Sequence, residues 1–202
     1  MRKVLRWLVY ISLIFCAEVA QSQNIDASSR SRQLKIYFDK GFVHKKKDSL
    51  TYQKLFFNTF PGSFATFDDV FGYDDKKGAA PLYNEANQYT DKLFNTKSVK
   101  VNDKARKLIH IALNGRWDAD AISHFQYKLH QFVTGNFATF LFELNKMNSA
   151  EIESVWKFCF DVESAGYRKK LYEDMFNRLG KNQAMIQILF SAYKKATSEQ
   201  IH

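Results

Sequence analysis

The sequence is poor in the residues that interrupt regular secondary structure. Its 202 residues include only two prolines and eight glycines. A sandwich or barrel of many short strands needs far more turn residues than this, so that fold class is excluded. Aromatic side chains, by contrast, are abundant, with 19 Phe and 10 Tyr. Together with an apolar content of 46% they can fill the core of one domain of this length.

The chain also lacks an apolar run long enough to cross a membrane. The most apolar stretch, residues 7–16, has ten residues, whereas a spanning helix needs about 20. Small residues follow this stretch and three basic residues precede it: Arg2, Lys3 and Arg6. This is the pattern of a secretory signal peptide. We therefore interpret residues 1–22 as a signal peptide cleaved after Ser22 and expect a periplasmic or secreted protein without a stable transmembrane anchor.

Cysteine is scarce as well. Only Cys16 and Cys159 occur, and cleavage after Ser22 would remove the first, so the mature chain cannot form an internal disulfide. Cys159 lies on an apolar helical stripe, which favours a buried, unreactive thiol over a nucleophile or an intermolecular disulfide. A lipoprotein acylated at Cys16 is the alternative to a soluble product. It is disfavoured because bulky Phe15 stands where lipoprotein processing prefers a small residue.

The charge balance is basic, with a formal net charge of +9. The signal peptide carries three basic residues and Glu18, or +2 of this total, which leaves +7 for the mature chain. We expect no nucleic-acid partner, because an exported protein rarely meets nucleic acid and the basic residues alternate with acids along the helices. A solvated basic surface is the favoured interpretation. An acidic partner or an anionic envelope surface is the alternative.

No motif for catalysis, cofactor binding or metal binding is present. The chain has no His-Glu-x-x-His, no Gly-x-Ser-x-Gly and no glycine-rich phosphate loop. His124 and His130 would point to different faces of one helix, which disfavours a shared metal ion. Asp118 and Asp120 are the best carboxylate pair beside a tryptophan, but we interpret Asp118 as a helix N-cap. The sequence thus predicts no cofactor, no metal site and no enzymatic activity.

Hydrophobic periodicity at helical spacing runs through most of the mature chain. Residues 23–33 are polar and serine-rich, so we expect a flexible leader before a helical domain over residues 34–196. Residues 34–43 fit either a short strand or helical turns. A frayed C-terminus is expected over residues 197–202. The predicted fold class is all-α, with about seven to nine helices in one compact domain.

Residues 60–83 contain both prolines and three of the glycines. Ser63 can cap a short helix whose phenylalanines, three and four residues apart, form one buried face. Its two aspartates, Asp68 and Asp69, then point outward. The four adjacent charges that follow Tyr73 cannot be buried, so we expect an exposed tip whose ends are held by aromatic side chains. A calcium loop is disfavoured because the acids lack the required alternating spacing.

Several aromatic motifs give the chain a resemblance to a known group of proteins. They are Phe60-Pro61-x-x-Phe64-x-x-Phe67, Phe71-Gly72-Tyr73-Asp74, Ala80-Pro81-Leu82-Tyr83, Gly115-x-Trp117-x-Ala119-Asp120-Ala121 and Ile152-x-x-x-Trp156-x-Phe158-x-Phe160-Asp161. In these motifs, residues 52–161 resemble a family of small helical bacterial proteins encoded near interbacterial toxin loci. The resemblance implies an immunity protein, which neutralises a toxin that neighbouring cells deliver by type VI or related secretion. The chain departs from the family pattern at residues 162–164.

From this resemblance and the predicted export, we expect an immunity-like protein whose partner is a toxin acting in the cell envelope. Such an inhibitor needs a rigid scaffold and an exposed patch with aromatic anchors and steering charges. The expected partner-binding residues surround the charged tip: Asp68, Asp69, Tyr73, Asp74, Asp75, Lys76 and Lys77. A solvated connection without a partner is the competing interpretation of this segment. The alternative function is an envelope accessory or ligand-binding protein without a toxin partner, and an enzyme acting on peptidoglycan is the third hypothesis.

Overall fold

Helices dominate the part of the chain that the structure describes. A computed structural model describes residues 26–44 and 47–198. Within these residues there are ten α-helices, one two-stranded antiparallel hairpin, a π-helical turn at Asp39–Val43 and a 3-10 turn at Tyr83–Glu85. The predicted all-α fold in a single compact domain is confirmed.

The helices and the hairpin are joined by short connections, and α8 lies at the centre. In chain order the elements are α1 (Ala27–Phe38), α2 (Ser49–Thr59), α3 (Phe64–Phe71), β1 (Tyr73–Asp74), β2 (Gly78–Ala79), α4 (Ala86–Asn95), α5 (Val101–Ala112), α6 (Ala121–Gly135), α7 (Phe137–Leu144), α8 (Ser149–Phe160), α9 (Ala165–Leu179) and α10 (Gln183–Ser198). Helix α8 packs against α10 most extensively and also contacts α5, α6 and α9.

The N-terminal boundary of the helical domain differs from the prediction. Residues 27–33 belong to α1, so the expectation of a flexible leader over residues 23–33 is wrong for this part. Asp26 caps the helix by accepting a hydrogen bond from the Ser29 backbone N–H at 2.9 Å. Arg30 and Ser31 are buried against the rest of the protein. Tertiary burial therefore orders a segment whose serine-rich composition is typical of a loose tail.

Helix α1 accounts for most of the difference between the predicted and observed domain limits. Together with the π-helical turn at Asp39–Val43 it resolves the ambiguity of residues 34–43 in favour of helix. The described residues contain ten α-helices, one more than the predicted maximum of nine. At the other end, Thr197 and Ser198 are the last residues of α10, so the predicted frayed end is wrong for these two. The predicted signal peptide 1–22, its Cys16 and residues 199–202 lie outside the described residues.

Aromatic rings form one continuous core. At the N-terminal end, Phe60 stacks on Phe71 with ring centroids 5.2 Å apart, and Phe67 contacts Phe125 of α6 at 5.1 Å. At the C-terminal end, Trp156 is fully buried and contacts Phe140 at 5.7 Å. All of these side chains belong to a single cluster of buried residues. Ring pairs at these distances add about 0.5–1.5 kcal/mol each to the stability gained from area burial.

Local sequence accounts for the start of α8, and the predicted burial of Cys159 is confirmed. Asn148 and Glu151 form the capping box that starts α8. Cys159, near the end of the same helix, is a buried free thiol. Burial raises its pKa to about 12, so the thiolate needed for nucleophilic chemistry is not formed near neutral pH.

Candidate functional site

Helix α3 places two aspartates beside the charged connection. Ser63 starts the helix with a capping box that it shares with Thr66. The phenylalanines of α3 are buried, as expected from their spacing. Asp69 is exposed on the opposite face and Asp68 is half-buried. The amphipathic pattern of this one short helix thus fixes where both carboxylates point.

The connection after α3 is a short, ordered hairpin. Tyr73 pairs with Ala79 and Asp74 pairs with Gly78, which has a φ of +81° that glycine adopts at little cost. The Asp74 Oδ1 atom accepts hydrogen bonds from the backbone N–H groups of Lys76 at 2.9 Å and Lys77 at 2.8 Å. These two bonds lower the pKa of Asp74. The tip is therefore held in one conformation while its charged side chains remain in water.

The base of the hairpin is joined firmly to α3. The Ala80 N–H donates to Gly72 O at 3.0 Å, and the Leu82 N–H donates to Val70 O at 2.9 Å. Leu82 is fully buried. A Cβ atom at Gly72 would lie 2.0 Å from Asp68 Oδ1 and 2.7 Å from Asp68 O, so only glycine fits there without movement. The exposed tip thus stands on a rigid base.

Two further aspartates, Asp118 and Asp120 of the connection between α5 and α6, lie on the same side of the protein as the hairpin. The Tyr83 hydroxyl donates a hydrogen bond to Asp120 Oδ2, and this bond raises the pKa of Tyr83. The ring of Tyr83 contacts the ring of Tyr73, with centroids 5.8 Å apart. Asp118 lies close enough to act electrostatically on both Asp68 and Tyr83. The tyrosine pair therefore links the hairpin to the second group of acids.

These residues make up what we call the acidic surface. It consists of two tyrosines and six carboxylates: Tyr73, Tyr83, Asp68, Asp69, Asp74, Asp75, Asp118 and Asp120. Burial raises the pKa of Asp68, and neighbouring Asp118 and Asp69 raise it further, whereas Arg116 lowers it from 3.7 Å away. The Asp68 Oδ1 atom is buried without a hydrogen-bond partner among the described residues. Six acids near three cations (Lys76, Lys77 and Arg116) form an acidic region on a protein of net charge +9.

All seven residues that the sequence analysis assigned to partner binding lie on α3 or the hairpin. Asp69, Tyr73, Asp74, Asp75, Lys76 and Lys77 are exposed and Asp68 is half-buried. Sequence reasoning missed Asp118, Asp120, Tyr83 and Arg116. The sequence signals for them were the aromatic motifs, which contain Tyr83 and Asp120, and the pair Asp118 and Asp120 beside Trp117. Their proximity to Tyr73 depends on the packing of distant segments.

The interpretation of Asp118 as a helix cap is wrong. Asp120 occupies the N-cap position of α6, with a φ of +55° and no capping bond from its side chain. The Asp118 carboxylate accepts a hydrogen bond from the adjacent Ala119 N–H at 2.7 Å. Both carboxylates therefore remain available to the acidic surface. Aspartate tolerates a positive φ better than most residues, which explains its presence at position 120.

His130, the buried histidine of α6, has a structural role, because hydrogen bonds fix both of its ring nitrogens. His130 Nε2 donates to Cys159 O at 2.7 Å, so its Nδ1 is the acceptor for the Tyr167 hydroxyl at 3.2 Å. Burial lowers the pKa of His130 to about 4, which keeps the ring neutral at pH 7. In residues 26–44 and 47–198, no group of three or more His, Cys, Asp or Glu side chains is arranged to hold a metal ion.

Two further properties bear on function: whether the helices can span a membrane, and which known proteins the chain resembles. None of the helices in the described part of the chain has the length and apolarity required to span a bilayer. Comparisons with protein-family models, curated proteins and solved structures found no match to this chain.

Proposed function

We propose that the mature chain is an exported, immunity-like protein that binds and neutralises an interbacterial toxin acting in the cell envelope. The observation that carries the proposal is the acidic surface, where a rigid, exposed tip combines aromatic rings with clustered carboxylates on an otherwise basic protein. Rings on a rigid base make good binding anchors, because little conformational entropy is lost on association. The aromatic motifs that resemble toxin-associated proteins include Tyr73, Asp74, Tyr83 and Asp120.

The charge of the acidic surface defines the expected partner. Carboxylates that are clustered and exposed attract a basic surface and accelerate encounter with it. The toxin should therefore present a cationic face, such as the lining of a cleft that binds an anionic envelope polymer. Covering that cleft would neutralise the toxin by occlusion, without any catalytic group on the inhibitor. Such a mechanism needs only shape and charge, which the hairpin and α3 provide.

Export is part of the proposal and is compatible with the fold. Cleavage after Ser22 would leave α1 whole, because its N-cap is Asp26. Mass spectrometry of the protein isolated from the periplasm or medium should show a mature chain that begins at Gln23. An N-terminal acylated Cys16 would instead establish a lipoprotein, and an unprocessed cytoplasmic chain would contradict export.

If a candidate toxin is encoded beside this gene, co-expression with it tests the function directly. We expect the periplasm-targeted mature chain to restore viability. The double variant Tyr73→Ala with Asp75→Lys should lose protection and weaken binding at least tenfold, because it removes a ring anchor and reverses a charge while keeping the turn bonds of Asp74. The matched control, Phe176→Ala with Glu173→Lys, changes an exposed ring and acid on α9 and should protect fully.

The outcomes separate the hypotheses. Loss of viability despite abundant folded protein would contradict toxin neutralisation for that pair and favour the envelope accessory or ligand-binding role. Protection by the Tyr73 variant equal to that of the wild type, with unchanged affinity by calorimetry, would keep the function but refute the acidic surface as its binding site.

A further inference from the structure

A polar cavity lies on the side of α3 where the capping residues are. It has a volume of about 370 Å³, is open to solvent on one side, and is lined by residues of α1, the end of α2, the start of α3 and α5. Its described lining residues include no acid: Arg30, Asn58, Phe60, Gly62, Ser63, Thr66 and Lys107. This cavity shares no residue with the acidic surface. We call it the cationic cavity.

Two cations from different helices meet in this cavity. Arg30 of α1 donates from an Nη atom to Thr59 O at 2.7 Å. Lys107 of α5 donates from Nζ to Phe60 O at 2.6 Å and lies 3.5 Å from Asn58 O. Carbonyl groups at the end of a helix carry only about half a negative charge in total. They hold the Lys107 ammonium in place but do not neutralise it.

The surroundings of Lys107 leave its positive charge without a full counter-charge. Its side chain is half-buried, and its Nζ atom lies 5.1 Å from the centre of the Phe57 ring but within ion-pair distance of no carboxylate of the described residues. Burial, assisted by the like charge of Arg30, lowers the pKa of Lys107 to about 7. Structural lysines are normally neutralised when they are buried. A half-buried lysine beside a buried arginine is the arrangement expected of a site that receives an anion.

The rest of the cavity provides donors and space. The Lys107 ammonium has three N–H bonds; it donates to Phe60 O and lies 5.1 Å from the centre of the Phe57 ring, so the long contact with Asn58 O at 3.5 Å is the one that an anion can replace. Ser63 and Thr66, the capping-box residues of α3, line the cavity, and the positive end of the helix adds to the field. A Cβ atom at Gly62 would meet nothing within 4 Å, so this wall is open to an entering ion.

We propose that the cationic cavity binds a small tetrahedral oxyanion of the phosphate class, held by Lys107 and Arg30 at the start of α3. The lining excludes metal cations, because it offers ammonium and guanidinium donors. It also disfavours apolar ligands, because most of its side chains are polar. The bound group is either a free ion or the phosphate of a headgroup such as glycerol phosphate. The proposal does not depend on the toxin-binding function.

Thermal unfolding of the mature chain with inorganic phosphate tests the proposal. At matched ionic strength, millimolar phosphate should raise the Tm of the wild type above that in chloride. Lys107→Met should abolish the rise. Lys104→Met is the matched control, since Lys104 is another partly buried lysine of α5 but donates to Phe94 O, outside the cavity. Equal rises in all three proteins, or no rise in the wild type, would overturn the proposal.

A second measurement uses the wild type alone and remains valid if Lys107→Met fails to fold. In a titration with sulfate, whose charge is constant, the amide signals of Gly62 and Ser63 should shift saturably, and binding should weaken at least tenfold from pH 6 to pH 9. Shifts spread over the surface without saturation would contradict the site. Replacing sulfate with glycerol phosphate then distinguishes the sources: tighter binding assigns a headgroup, and equal or weaker binding assigns the free ion.

Discussion

At the scale of single residues, buried polar groups account for much of how this protein should respond to pH. His130 is buried and neutral, and both of its ring nitrogens are used, one by Cys159 O and the other by the Tyr167 hydroxyl. Protonation would turn Nδ1 into a donor facing a hydroxyl that already donates to it, and would place a charge in the core. The fold therefore opposes the charged form of this residue.

We predict that the protein loses stability in mild acid because of His130. Its pKa is about 4 in the folded state against 6.5 in the unfolded chain, so the unfolded chain binds the proton first. The free energy of unfolding should fall by about 2 kcal/mol between pH 7 and pH 5. Urea denaturation of His130→Gln should show a much smaller fall. The exposed His110→Gln variant should behave as the wild type, and identical falls in all three would contradict the assignment.

Gly72 is the residue on which the geometry of the acidic surface depends most. A methyl group there would meet both the side chain and the backbone carbonyl of Asp68. We predict that Gly72→Ala lowers the free energy of unfolding by about 1–3 kcal/mol, because helix α3 and the hairpin must move apart. Gly166→Ala, where a Cβ meets nothing within 4 Å, should leave stability unchanged or slightly raised. Equal stability of the two variants would show that the strand after α3 is not tightly held.

At the scale of elements, local signals predicted some features and tertiary packing decided others. The capping boxes at Ser63 and Asn148 follow from short sequence patterns and are present in the structure. Helix α1 could not be predicted in this way, because Arg30 is ordered by a carbonyl of α2, 29 residues further along the chain. The same limit applies to the acidic surface: Tyr83 and Asp120 are 37 positions apart, and no pattern in either segment indicates the other.

Truncation of the N-terminus tests whether α1 belongs to the domain. A chain that begins at residue 23 should unfold at the same temperature as the full chain of residues 1–202, because every described contact of α1 remains. A chain that begins at residue 34 lacks the first seven of the 12 residues of α1, including buried Arg30 and Ser31. Its Tm should fall by at least 5 °C, because about 2 kcal/mol or more of burial and hydrogen bonding is lost. Equal Tm values would restore the interpretation of residues 23–33 as a leader.

At the scale of the whole molecule, the single aromatic core predicts cooperative unfolding. Trp156 is fully buried in the C-terminal part of this core, and residues 23–202 contain only one other tryptophan, Trp117. In Trp117→Phe, fluorescence therefore reports on the core alone. Its urea midpoint should coincide with that of far-UV circular dichroism, which reports on all helices. Separate midpoints would mean that the domain unfolds in parts.

The distribution of charge over the molecule leads to a kinetic prediction. Because the acidic surface is a local region on a basic protein, it should orient the approach of the proposed basic partner as well as hold it. Replacing Asp69, Asp74 and Asp75 with asparagine removes three charges, and the amide side chain at position 74 keeps an oxygen that can hold the hairpin turn. The association rate with the proposed toxin partner should fall about tenfold at low salt, with little change in dissociation.

Surface plasmon resonance at two ionic strengths checks this effect. Raising the salt to 0.5 M shortens the Debye length to about 4 Å, so the association rates of the triple variant and the wild type should converge. Tyr73→Ala, which keeps the charge, should retain the association rate and its salt dependence but dissociate faster, because an anchoring ring is lost. If removing the three charges left the salt dependence unchanged, the toxin would be approaching another face of the protein, since exposed charges act over only about a Debye length.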